Sequence, residues 1–187
     1  MNKLRYILII VAAIIVSASP LMAQRKRISP HETISSVIDG NKVTIVYGRP
    51  YTKDPRSGEI RKIWGGLVPY GKVWRTGADE ATLLTTEQPI VMGGTAISAG
   101  TYSLFTLPVE NGTSKLIVNK RTGQWGIPYN EKNELTNELA RIDLKKDTLD
   151  KTMDQFTMAI EKNPSGGGLL KMMWENTQFS APFSVKK

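Results

Sequence analysis

The sequence predicts an all-β protein, a single β-sandwich of jelly-roll-like or Ig-like type, and three observations carry that prediction. Short runs rich in β-branched and aromatic residues alternate with polar positions. Turn dipeptides built from Gly, Asn, Asp and Pro separate these runs at close to the roughly 8–12-residue spacing of sandwiches and barrels. A helical period is visible only once, over a short charged stretch. The remaining irregular part is one long connection rich in Gly and Trp.

The first segment lies outside the fold. Lys3 and Arg5 precede an apolar run from Tyr6 to Val16, followed by Ser17-Ala18-Ser19-Pro20 and Leu21-Met22-Ala23. This order of charge, apolar stretch and small residues is that of a secretory signal peptide, expected over residues 1–23. The run is short against the roughly 20 residues that span a bilayer, and Pro20 interrupts it. The mature chain would then be exported, periplasmic or secreted, with one domain over residues 28–185 and no later membrane span.

The elements follow in order. Thr33–Ile38 and Lys42–Tyr47 read as a hairpin around Asp39-Gly40, a pair that tolerates positive φ. Gly48-Arg49-Pro50 ends the second strand, because Pro removes a ladder donor. Residues 51–77 form the long connection, with Asp54-Pro55, Ser57-Gly58, Gly65-Gly66 and Pro69-Tyr70-Gly71 as turns. Its Trp64, Leu67, Tyr70, Val73 and Trp74 argue that it packs on the domain. Ala81–Thr86 is a strand, and Ile90–Met92 with Thr95–Ile97 a second hairpin around Gly93-Gly94. Thr101–Leu107 alternates until Pro108, and Lys115–Val118 follows the Asn111-Gly112 turn. Leu135, Leu139 and Ile142 mark the short surface helix, expected over Glu131–Arg141. Gln155–Ile160 and Leu169–Trp174 pair around a Gly-rich turn, and Gln178–Val185 is a last strand placed at an edge by Pro182.

Composition narrows function by exclusion. The chain of 187 residues has no Cys and one His, which removes disulfides, thiolate chemistry and any site needing two imidazoles. No metal site and no cofactor are expected. The net charge of +8 and pI near 9.7 raise nucleic acid as a partner. Residues 1–23 carry Lys3 and Arg5 and no acid, so their removal leaves +6. Setting aside Arg25, Lys26, Arg27, Lys186 and Lys187 at the two ends leaves 18 basic against 17 acidic residues. The body is therefore nearly neutral, and a nucleic-acid partner is not expected.

Three constellations carry possible chemistry. His31 follows Ser29 just before the first strand, which suits either a hydrogen-bonded structural imidazole or a base lacking its third partner. Asp79 and Glu80 are adjacent and would point to opposite faces of a strand, so they read as a turn rather than an acid–base pair. The richest group is Arg49 with Trp64, Tyr70, Trp74 and Arg75, where planar faces and guanidinium donors are the usual material of a small-ligand pocket. The aromatics could equally plug the sandwich.

The segment from Lys62 to Ala78, Lys-Ile-Trp-Gly-Gly-Leu-Val-Pro-Tyr-Gly-Lys-Val-Trp-Arg-Thr-Gly-Ala, resembles the bacterial domain of unknown function 2911. So do Ser29-Pro30-His31, Tyr47-Gly48-Arg49-Pro50, Ala99–Phe105 and Gln124-Trp125-Gly126, over about residues 28–184. Asp79 stands where that family usually has Asn, and Asn130 where it often has Asp. The resemblance implies an extracytoplasmic β-rich domain and no particular activity. From the residues, the expected role is a non-catalytic domain binding a small polar ligand or glycan through Arg49, Trp64, Tyr70, Trp74 and Arg75. The alternatives are a hydrolase using His31 with a nearby carboxylate, and an envelope interaction or scaffold protein.

Overall fold

The structure, a computed structural model, describes residues 27–125, 129 and 135–186. The expected signal segment and residues 131–134 of the expected helix lie outside these. Among the described residues ten strands form: β1 (His31–Ile38), β2 (Asn41–Gly48), β3 (Thr82–Thr86), β4 (Ile90–Met92), β5 (Thr95–Ile97), β6 (Gly100–Leu107), β7 (Lys115–Asn119), β8 (Glu138–Asp143), β9 (Lys145–Lys162) and β10 (Gly168–Val185). They make two antiparallel sheets, ordered β1-β2-β3-β6-β7-β8 and β5-β4-β10-β9, packed as a sandwich.

Both short hairpins turn as their dipeptides require. Asp39 and Gly40 have φ of 48° and 83°, and Gly93 and Gly94 have 57° and 79°, so each two-residue turn is left-handed at both positions. The register that follows pairs Ile38 with Asn41 and Ile90 with Ile97. Alternation along β2 turns Val43, Ile45 and Tyr47 inward and leaves Lys42, Thr44 and Val46 outside. Leu84, Leu104, Leu116, Val118 and Ile142 extend that inner face. Phe156, Met158, Leu170, Met172, Trp174 and Phe179 meet it from the other sheet. Each of the larger side chains contributes roughly 1.5–3 kcal/mol on full burial. A smaller cluster, Ala81, Phe105 and Ile117, sits on the outer face under Val73 and Tyr129.

Three elements differ from the sequence reading. Leu135–Asn137 is a single 3-10 turn and Glu138–Asp143 is strand β8, not helix. Ala140 and Ile142 are buried while Arg141 and Asp143 are exposed, a period of two imposed by pairing with β7. The last two expected strands are one, since β10 runs unbroken through register shifts between Met173 and Thr177, with Glu175 at φ 52°. Pro182 also does not mark an edge. β10 pairs β9 up to Ser180 and β4 from Phe183 onward, and Pro182 falls in the gap between the two ladders.

β9 is the outer strand of its sheet, and residues 47–52 close its middle. Phe156 N–H donates to Pro50 O at 2.9 Å, Thr52 N–H to Asp154 O at 2.7 Å, and Met158 N–H to Tyr47 Oη at 3.0 Å. Arg49 adds Nε to Phe156 O at 3.2 Å and Nη2 to Thr157 Oγ1 at 2.9 Å. Tyr47 also donates to Glu32 Oε2 at 2.7 Å, and Arg49 Nη1 lies 3.2 Å from the same oxygen. Burial pushes the Tyr47 phenol up to about 12, so it stays a donor at every physiological pH.

Tyr47→Phe leaves Met158 N–H and the Glu32 carboxylate each one partner short. We expect a loss of about 1–3 kcal/mol in urea unfolding at neutral pH, with an unchanged m-value.

Candidate functional site

The wall of the site is a backbone-to-backbone contact. A Cβ on Gly48 would overlap the Ala78 carbonyl oxygen, and one on Gly77 would lie 2.8 Å from Gly48 O. Only glycine permits this approach. It draws the 76–79 turn against the end of β2. Thr76 and Asp79 both take left-handed φ, 57° and 65°, a conformation unusual outside glycine. Two buried bonds hold the turn: Thr82 Oγ1 donates to Thr76 O at 2.6 Å, and the Thr76 and Thr106 hydroxyls lie 2.8 Å apart. Two residues before the turn, Trp74 is fixed by a reciprocal pair of backbone bonds with Thr106, both 2.8 Å.

Beside this turn opens a cleft of about 340 Å³. That size is near the lower end of the roughly 300–1,000 Å³ usual for ligand sites. Trp74, half-buried, forms its floor and stacks at 5.9 Å on Trp174, which is fully buried behind it. Trp64 and Phe156 close edge-on around the same pair. Every indole N–H in this cluster has a partner: Trp64 donates to Trp174 O, Trp74 to Gly77 O and Trp174 to Thr52 Oγ1. Tyr51, Asp54, Arg56 and Arg61 supply one side, from a turn in which Asp54 Oδ1 accepts the Arg56 N–H at 2.8 Å. Ile28 and Ser29 supply the other.

Residues 27–31 lie as a strap across the 76–80 turn. Arg49 N–H donates to Pro30 O at 2.8 Å. His31 Nε2 is 3.2 Å from Asp79 Oδ2 and 3.6 Å from Glu80 Oε2, and Arg27 pairs with Glu80 Oε1. Burial raises the Glu80 carboxyl, but the Arg27 hydrogen bond and the charges of Arg27 and His31 outweigh it and hold the group below its ordinary 4.5. Arg75 Nη1 donates to the Asp79 carbonyl at 2.8 Å, and burial lowers the guanidinium pKa against the opposing pull of Asp79 and Glu80.

Of the residues the sequence singled out, Trp74 and Arg75 line the cleft. Arg49 is spent on the β9 seam, Trp64 is buried in the core, and Tyr70 packs at the core margin over Gly65. Tyr51, Arg56 and Asp54 line the cleft without being singled out by the sequence as site residues, and Asp79, which reads from the sequence as a turn residue or as the carboxylate near His31, lines it too. The Asp54-Pro55 turn was visible, but nothing local indicates that it folds back on Trp74. Among the described residues no group of three His, Asp or Glu side chains is placed to hold a metal ion.

A family profile described as "Protein of unknown function (DUF2911)" matches residues 29–183. Comparison with curated proteins and with solved structures gives no match.

Because Glu80 is held low in the fold, its pairing stabilises above about pH 4.5 and is lost as pH falls through the folded value. Thermal unfolding of Glu80→Gln followed from pH 7 downward should show a melting-temperature deficit at neutral pH that shrinks in acid. A deficit constant with pH would contradict the pairing.

Proposed function

The chain belongs to the family of proteins of unknown function DUF2911, and we propose that within it this domain is a non-catalytic binding module whose cleft takes a small polar ligand or glycan. One observation carries the reading: the concavity beside the 76–79 turn combines a half-buried Trp74 and an exposed Tyr51 with polar groups already fixed by the fold. Planar apolar faces bind the flat side of a sugar or metabolite, and preset polar groups orient it at little entropic cost. With the leader expected over residues 1–23, the module would work outside the cytoplasm, on a soluble ligand rather than a nucleic acid.

A hydrolase built on His31 has one observation in its favour, the contact with Asp79 at 3.2 Å. The same Nε2 faces both carboxylates, and among the described residues no hydroxyl is hydrogen-bonded to the imidazole. A base needs a nucleophile or water within reach as well as an orienting acid. The arrangement suits a strap that holds the cleft wall better than a proton relay.

A thermal-shift panel of neutral and charged sugars and small metabolites tests the binding reading. A ligand near a hundred times its Kd should raise the melting temperature by roughly 5–10 °C. Tyr51→Ala, at an exposed side chain, should keep the unliganded melting temperature and lose most of that shift. No shift with any member of the panel would overturn the reading.

A further inference from the structure

Arg75 lines the cleft with its hydrogen bonding left half complete among the described residues. Its Nη1 is committed to the Asp79 carbonyl. Its Nε is buried with no hydrogen-bond partner, and Nη2 has none among the described residues. These two nitrogens form the side edge of the guanidinium, with parallel N–H bonds at the spacing of two oxygens of a carboxylate or phosphate. No carboxylate of the described residues is within ion-pair distance of Arg75. The acids nearby are engaged elsewhere, Asp79 with His31, Glu80 with Arg27 and His31, and Asp54 with Arg61. A buried N–H without a partner costs free energy in the empty protein, and that cost is removed when an acceptor arrives.

The charge of the cleft agrees. Arg75 follows Trp74 directly and shares the cleft with Arg56, whose guanidinium has no ion pair among the described residues. Cleft-lining charges are Arg56, Arg61 and Arg75 against Asp54 and Asp79, an excess of one positive charge. We propose that the ligand of this cleft carries an oxyanion, a carboxylate or a phosphate, received by the free Nε–Nη2 edge of Arg75 while its apolar face lies on Trp74. The proposal rests on the binding reading above and narrows it to acidic sugars and acidic metabolites.

Isothermal titration at constant ionic strength with glucose, glucuronate and glucose 6-phosphate separates the cases. Glucuronate or glucose 6-phosphate should bind at least about tenfold more tightly than glucose, as expected for a charge-assisted pair. The preferred member of the two distinguishes carboxylate from phosphate. Arg75→Gln should abolish that preference. Arg75→Lys, which keeps the charge but not the fork, should retain only part of it. Melting temperatures of the unliganded variants show whether each is folded, and the exposed Arg56→Gln serves as a second variant that leaves the Asp79 bond intact and should weaken acidic ligands alone. Equal binding of glucose and the acidic sugars, or an acidic preference unchanged in Arg75→Gln, would overturn the oxyanion assignment while leaving a binding cleft. No binding of any of the three, together with a silent thermal-shift panel, would remove both.

Discussion

The seam between residues 47–52 and the middle of β9 is the constraint on which the rest of the molecule depends. Two packed sheets hold together through apolar contact, which is non-directional and would tolerate sliding. Backbone hydrogen bonds between β9 and residues Pro50, which accepts, and Thr52, which donates, together with the Tyr47 hydroxyl and the Arg49 guanidinium, fix one sheet against the other at a single register. The same bonds cover an outer strand that would otherwise present unpaired N–H and C=O groups. They also place Thr52 to receive Trp174, and so set the aromatic stack behind the cleft.

Strain and its restraint are concentrated next to that seam. The glycine contact at Gly48 and Gly77 brings two backbones closer than any side chain allows, and Thr76 and Asp79 are held in left-handed conformations on either side of it. Such residues cost of order 1–3 kcal/mol each and persist only where surroundings over-determine them. Here the surroundings are buried threonine hydroxyls, the Trp74–Thr106 backbone pair and the His31 strap. Arg75 and Asp79 thereby sit on a rigid turn rather than a mobile loop.

Where order was local, the sequence was readable. Asp39-Gly40 and Gly93-Gly94 dictate their turns, and alternation over Val43–Tyr47 dictates which face is buried, whereas Tyr102–Thr106 of β6 is buried on both faces. The β8 segment was misread because Leu135, Leu139 and Ile142 match a helical spacing, while the partner strand that decides the matter lies some twenty residues earlier. The continuity of β10 was hidden by polar Glu175 and Asn176 and by Pro182, each of which would end a strand on its own but is absorbed by a register shift or a gap between ladders. In the site, residue types were legible and their roles were not. Nothing in the local sequence separates Trp64, which is core, from Trp74, which is floor, or reveals that Arg49 faces β9 while Arg75 faces a cleft.

Because its partners are more than a hundred residues apart in the chain, the Arg49 and Tyr47 contacts to β9 can form only late. Loop closure of that length is slow relative to hairpin formation, so β9 and β10 would zip together first and wait with one edge bare. During that interval protection must come from the strand itself. Lys145, Lys146, Asp147, Asp150 and Lys151 at one end and Glu161 and Lys162 at the other flank the apolar Phe156–Ile160 stretch with charge of both signs. They act as gatekeepers against association of the half-folded chain, a kinetic role that the finished sandwich no longer needs.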